Sequence, residues 1–332
     1  MTRAAAGALT AGVLLFIAVL VSQRLPAVMA TLSLAGWGLL LVALFHSGPL
    51  LLDAASIRVL FRRGAAGGCM RNALLTRWAG ESANSLLPAG LIGGPVLMVR
   101  HLNQRGLPLA DAAAAITVST TLQAFAQISF ALLGVMLLGA QAPHISHTAL
   151  RTSSLIASGV LALQVGGFYL LQRRGLFSRL MRTANRSGKR DWSQLMIQAQ
   201  VIDLAVQDTY TRAGPVAASF FLSLVAWLVG TGEVYIILTL FGHPVSWSAA
   251  LLLESLGQAI RGMAFAIPGA LGVQEGGYLL ICAMFGISAP NALALSLIRR
   301  IRELSLGVPG LMLWHYMEAR PMVGAPSREH AR

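Results

Sequence analysis

Three ionisable residues, Glu254, Arg261 and Glu275, lie inside a run that otherwise reads as membrane-embedded. The helix-breaking pair Pro268-Gly269 falls among them, and Gly272 and the pair Gly276-Gly277 follow. Charge at membrane depth is costly, and non-helical backbone is tolerated there only where protein buries it or it lines a wet cavity. A stretch combining both is a candidate site. A second stretch repeats the pattern with Glu81-Ser82, Asn84-Ser85, Pro88, Gly93-Gly94 and Pro95. A third group, Arg299-Arg300, Arg302 and Glu303, sits near the middle of the last long apolar segment. The chemistry these residues suit is the holding of a polar headgroup. Broken helices expose N–H groups and positive dipole ends that attract an anion such as phosphate. Arg261, Arg299, Arg300 and Arg302 add charge-assisted contacts to it. Glu81, Glu254, Glu275 and Glu303 balance those arginines or meet a cationic group on the substrate. The plainer reading is that the glycine pairs permit close helix packing and that Glu275 neutralises Arg261.

Composition sets the class. The chain has 332 residues, 56% of them hydrophobic and 11% charged, against about 25% charged in a soluble domain. Apolar runs of the roughly 20 residues a bilayer crossing requires recur along it. The net charge of +13 comes from Lys and Arg clustered between apolar runs. That follows the positive-inside tendency, so the basic partner is anionic lipid rather than nucleic acid. Cys69 and Cys282 stand far apart in unlike contexts, with neither disulfide nor zinc spacing. His46, His101, His144, His147, His243 and His315 show no ligand spacing, and no cofactor or metal is expected.

The expected fold is therefore an all-α polytopic membrane protein with about six spanning helices and two broken re-entrant segments in an inverted repeat. It forms a single transmembrane domain over 1–332. The first half covers about 1–171, with a re-entrant segment at 78–105. A basic cytoplasmic linker follows at 172–212, then a second half at 213–317 with a re-entrant segment at 247–286, and a short basic tail at 318–332. Residues 8–22 form an uncleaved first span rather than a signal peptide, 34–53 a second, 109–139 a third, 152–171 a fourth and 215–241 a fifth that carries Glu233. The basic stretch at 54–80 is assigned to the cytoplasm, with Ile57 to Arg63 as a short helix on the headgroups. Residues 192–211 read as an interfacial helix. Both termini are placed in the cytoplasm.

The two interrupted segments resemble each other. Pro88 and Pro268 are 180 positions apart, as are Gly106 and Gly286, and Asp111 aligns with Asn291. Opposed repeats with discontinuous helices place a substrate site near the midplane.

On the motifs Glu81-Ser82, Asn84-Ser85, Pro88, Gly93-Gly94 and Arg261-Gly262, Pro268-Gly269, Gly272, Glu275-Gly276-Gly277, the chain resembles the flippase-like transmembrane family of lysylphosphatidylglycerol synthases. Its closest likeness there is to hopanoid-biosynthesis-associated membrane proteins of the HpnL type. The resemblance implies a bacterial inner-membrane protein that moves or handles a polar lipid between leaflets. In the two-part synthases a soluble C-terminal domain transfers the amino acid. This chain reaches Arg332 soon after the last span, so no aminoacyl transfer is expected of it. The leading expectation is a lipid translocator with no catalytic residues. Its rivals are an accessory scaffold for hopanoid or glycolipid enzymes and a membrane-embedded transferase using Glu275 or Glu81 as base.

Overall fold

The computed structural model describes residues 36–62, 64–65, 67–87, 90–141, 148–186, 193–263 and 270–319, together with Ala30 and Ser33. The proposed first span at 8–22, Pro88, Pro268, Gly269 and the tail from Arg320 lie outside them. The described residues form eleven helices: α1 (Gly38–Arg58), α2 (Met70–Leu86), α3 (Gly90–Gln104), α4 (Leu109–Gln141), α5 (Thr148–Arg173), α6 (Leu176–Arg186), α7 (Ser193–Thr211), α8 (Ala213–Leu240), α9 (Trp247–Met263), α10 (Val273–Ala283) and α11 (Ala289–Ala319). Together they make an all-helical polytopic membrane protein. By length and composition α1, α4 over Leu109–Gly134 and α8 are each able to cross a membrane. The central charges of α11 distinguish it from these three, yet its faces sort cleanly. Ile301, Leu304, Val308 and Met312 are exposed on one side, whereas Arg299 and Arg302 are buried on the other. Apolar side chains out and charges in is the arrangement lipid demands.

Two four-helix units follow one plan. In the first, α1 packs on α2, α2 on α3 and α3 on α4; in the second, α8 packs on α9, α9 on α10 and α10 on α11. Each unit has its own apolar core. One gathers Ile57, Leu102, Ile116 and Val118; the other gathers Ile237, Leu253, Tyr278 and Leu295. Leu109 and Ala289 open the long helices α4 and α11 at the 180-residue offset. The turns before them match atom for atom. Gly106 and Gly286 both have positive φ, at 94° and 69°. The Leu107 and Ile287 N–H groups donate to Leu102 and Cys282 carbonyls at 3.1 and 3.0 Å. A left-handed glycine closing the helix this way satisfies carbonyls that would otherwise be orphaned.

The units also exchange contacts. The long helix of each packs on the first arm of the other, α11 on α2 and α4 on α9. At both places a glycine meets the serine of a Glu-Ser pair. A Cβ on Gly310 would stand 2.1 Å from Ser82 Oγ, and one on Gly134 would stand 1.8 Å from Ser255 Oγ. The pairing of α1 with α8 runs antiparallel. Gly38 packs against Leu240 at one end, and Arg212 Nη2 donates to the Leu60 carbonyl at 2.9 Å at the other. The repeat is therefore inverted, as the sequence led us to expect.

Some boundaries differ from expectation. Residues 70–80 belong to α2, so Arg77 is drawn inward rather than left in the basic cytoplasmic stretch. Ile57 and Arg58 close α1, with a turn after them, and form no separate headgroup helix. Part of the basic linker folds as α6, whose first turn is held by Asp203 of α7. Its carboxylate accepts the Phe177 N–H at 3.0 Å and the Ser178 N–H at 2.8 Å.

Candidate headgroup site

Among the described residues, each interrupted segment leaves the helical path beside its forecast proline and glycine. After α2 the backbone turns extended at Leu87, with φ −97° and ψ 138°. The second break separates α9 from α10, where Gly272, at φ 77°, precedes α10. The Gly272 N–H donates to Glu275 Oε2 at 2.6 Å, so Glu275 secures the start of its own helix. Ser296 Oγ donates to the other carboxylate oxygen at 2.9 Å, and Arg300 Nε approaches it at 3.3 Å. Glu275 is fully buried. With both oxygens engaged, it presents no surface to a substrate.

All four predicted arginines meet carboxylates. Arg261 Nη1 lies 2.6 Å from Glu303 Oε1. Arg299 binds Glu254 and the Tyr278 hydroxyl, with Glu233 at 3.5 Å. Arg300 bridges Glu275 and Glu303, each at 3.3 Å. Arg302 lies 3.2 Å from Glu233 and 3.7 Å from Glu303. The expected neutralisation of Arg261 by Glu275 is replaced by Arg261 with Glu303 and Arg300 with Glu275. Glu254 also accepts from Gln258 at 2.8 Å. Glu81 receives His46 Nε2 at 2.8 Å and lies 3.8 Å from Arg77, which in turn binds Asp53 at 2.6 Å.

The glycines divide by role. A Cβ on Gly94 would strike Asn84 Oδ1 at 2.1 Å, and one on Gly277 would meet Ile260 at 2.8 Å, so both serve close packing. Gly93 and Gly276 have open space where a Cβ would stand. Asn84 turns its Oδ1 toward Gly94, within the α2–α3 hairpin.

Sequence reading missed the centre of this network. His46 and Asp53 of α1 and Glu233 of α8 join it, His46 and Glu233 meeting across 187 positions of chain. One signal pointed to them: His46 and Asp53 are polar groups in an apolar span, seven residues apart and so on one helix face. Six of the chain's twelve acidic residues converge here: Asp53, Glu81, Glu233, Glu254, Glu275 and Glu303. They face five guanidiniums, Arg77, Arg261, Arg299, Arg300 and Arg302. A small crevice with about 20 Å³ of free volume opens onto the network between α1, α2 and α11, lined by His46, Trp78, Glu81, Ser85, Arg302 and Glu303. Among the candidates read from the sequence, Glu81, Arg302 and Glu303 reach it, and the side chain of Glu81 is 30% exposed.

The family model described as the lysylphosphatidylglycerol synthase TM region matches residues 4–310. The chain belongs to that family, which places it among membrane proteins of lipid metabolism. Comparison with the curated proteins and with the solved structures gives no match.

Proposed function

We propose that this protein is a flippase-like translocator of a polar lipid headgroup and performs no group-transfer chemistry. The observation carrying this reading is the charged crevice between two antiparallel repeat units, with apolar helix faces turned outward around it. Opposed repeats with broken helices allow a site near mid-membrane to be reached from either side. Headgroup charge would be met in the crevice while the acyl or polycyclic tail stayed in lipid. Glu81, Arg302 and Glu303 are the residues we assign to headgroup contact, with His46 beside them. Arg261, Arg299, Arg300, Glu254 and Glu275 hold that surface in place from behind. Because every one of these arginines already has a carboxylate partner, a headgroup bearing an amine as well as a phosphate suits the site better than a purely anionic one. Aminoacylated phospholipid is such a molecule. A tie to hopanoid metabolism and placement in the inner membrane rest on the motif likeness, and cytoplasmic termini on the clustering of Lys and Arg between the apolar runs.

The test is leaflet transfer in proteoliposomes carrying fluorescent phosphatidylethanolamine or phosphatidylglycerol, read by dithionite quenching of the outer leaflet. The full chain is expected to accelerate transfer of the amine lipid above protein-free vesicles, and Arg302→Ala is expected to reduce it. Folded protein that moves neither lipid would overturn the reading and favour the scaffold. In that case neutralising the arginines between Arg173 and Arg190 would be the change that matters.

A further inference from the structure

The network is one positive charge short. Six carboxylates meet five guanidiniums among the described residues, and His46 is the titratable group placed to supply the missing charge. Its ring stands between two acceptors, with Nε2 2.8 Å from Glu81 Oε1 and Nδ1 3.3 Å from Glu233 Oε2. A neutral imidazole has one N–H and can donate to one of them; an imidazolium donates to both. Arg302 Nη1 also approaches both ring nitrogens, Nδ1 most closely and Nε2 at 2.8 Å. That contact favours the opposite state, because a guanidinium donates and needs an unprotonated ring nitrogen to accept. The same side chain thus has partners for either protonation state, and Glu81 opens it to the crevice.

We propose that His46 is a proton-binding site, and that this proton and a cationic amine headgroup held beside Glu81 exclude each other. The inference rests on the headgroup reading above and adds an ion to it: amine in, proton out. An ammonium beside Glu81 supplies the charge that the imidazolium otherwise provides. His46 then gives up its proton to water in the crevice and accepts from Arg302. Charge reaches the surroundings of His46 from α1 and from helices packed on it. α1 itself contributes Asp53, α2 Arg77 and Glu81, α8 Glu233, and α11 Arg299, Arg302 and Glu303. Asp111 of α4 reaches Arg62, beyond the end of α1. Asp53 is matched by Arg77 at 2.6 Å, which leaves the excess on the Glu81–Glu233 pair.

The test uses full-length protein in detergent, labelled with 15N-histidine, and short-chain phosphatidylethanolamine as the probe. Adding the probe in weak buffer should release about one proton per protein, and the His46 signal should change from doubly to singly protonated. Linkage then requires the apparent affinity for the amine to rise by up to about tenfold per pH unit while His46 titrates. Short-chain phosphatidylglycerol, which has no amine, should release none. His46→Gln and Glu81→Gln, which act on opposite partners, should each abolish the release. Absence of probe binding at every pH, binding without proton release, or undiminished release from His46→Gln overturns the proposal. If release occurs as stated but proteoliposomes move no lipid, the translocator reading falls and the proton site stands. If lipid moves but binding releases no proton, the reverse holds.

Discussion

The arginine least exposed to its surroundings tests what the buried charges are for. Arg299 has a 5% exposed side chain and touches Glu254, Glu233 and Tyr278. Arg299→Met leaves Glu254 without its guanidinium partner and takes one of two guanidiniums from Glu233, and removing one partner from a buried ion pair costs about 3–5 kcal/mol. Thermal unfolding in detergent should show that loss as a lowered midpoint. Arg299→Met combined with Glu254→Gln should lose less than Arg299→Met alone, because one stranded charge is gone. If the two variants melt alike, the pair is not the unit that matters. At this scale the sequence was half legible. Charges in an apolar run are conspicuous, so Arg299, Arg302, Glu81 and Glu275 could be read as members of one site. Who pairs with whom could not. Arg302 and His46 are 256 residues apart, and no periodicity within either helix specifies that meeting. Seven residues separate Glu275 from Pro268, which made its pairing with Arg261 plausible. The chain's return through Gly272 instead turned it to Ser296 and Arg300.

Between helices, the contact that recurs in both units is glycine against serine. Gly310 admits Ser82 and Trp78 so closely that a Cβ would stand 2.1 Å from the hydroxyl and 2.9 Å from the indole nitrogen. Gly310→Ala should therefore force α11 away from α2, at a cost of about 1–3 kcal/mol for overpacking. Gly276→Ala meets open space and should leave the melting midpoint nearly unchanged. Ser82→Gly in the Gly310→Ala background should restore part of the loss, which a general effect of alanine on helix propensity would not allow. Element positions were mostly readable, because length and apolarity alone placed α4, α5 and α8 within a few residues. The breaks were visible because proline and glycine interrupt helices for local reasons. α2 was harder. Arg71 and Arg77 made its first half look cytoplasmic, and only the approach of Asp53 from α1 explains why Arg77 can turn inward. α6 was hidden for a similar reason: its arginines obscured an ordinary helix whose start is held by a residue of α7.

Taken whole, the molecule makes its site by antiparallel pairing of two copies of one plan, and the charges in that site are not distributed by the same symmetry. Asp53 and Glu233 stand at the 180-residue offset on α1 and α8, but His46 has Ala226 opposite it and the arginine cluster of α11 has no counterpart on α4. The translocation proposed above would use two units that pack alike yet carry unequal charge, as opposed repeats rock about a shared site. Such rocking requires the two ends of the α1–α8 pair to face opposite sides of the membrane. The Leu60 and Arg212 ends touch each other, as do the Gly38 and Leu240 ends. A membrane-impermeant thiol reagent should therefore label the exposed native Cys69 and a Thr211→Cys variant from one face. In a Cys69→Ser background, His243→Cys should react from the other. The positive-inside tendency assigns the Cys69 face to the cytoplasm, so right-side-out cells should show labelling at position 243 and protection at 69 and 211. Labelling of 69 and 243 from the same side would mean that the two units are not inverted across the bilayer, and a pocket between them would then have no means of opening to each leaflet in turn.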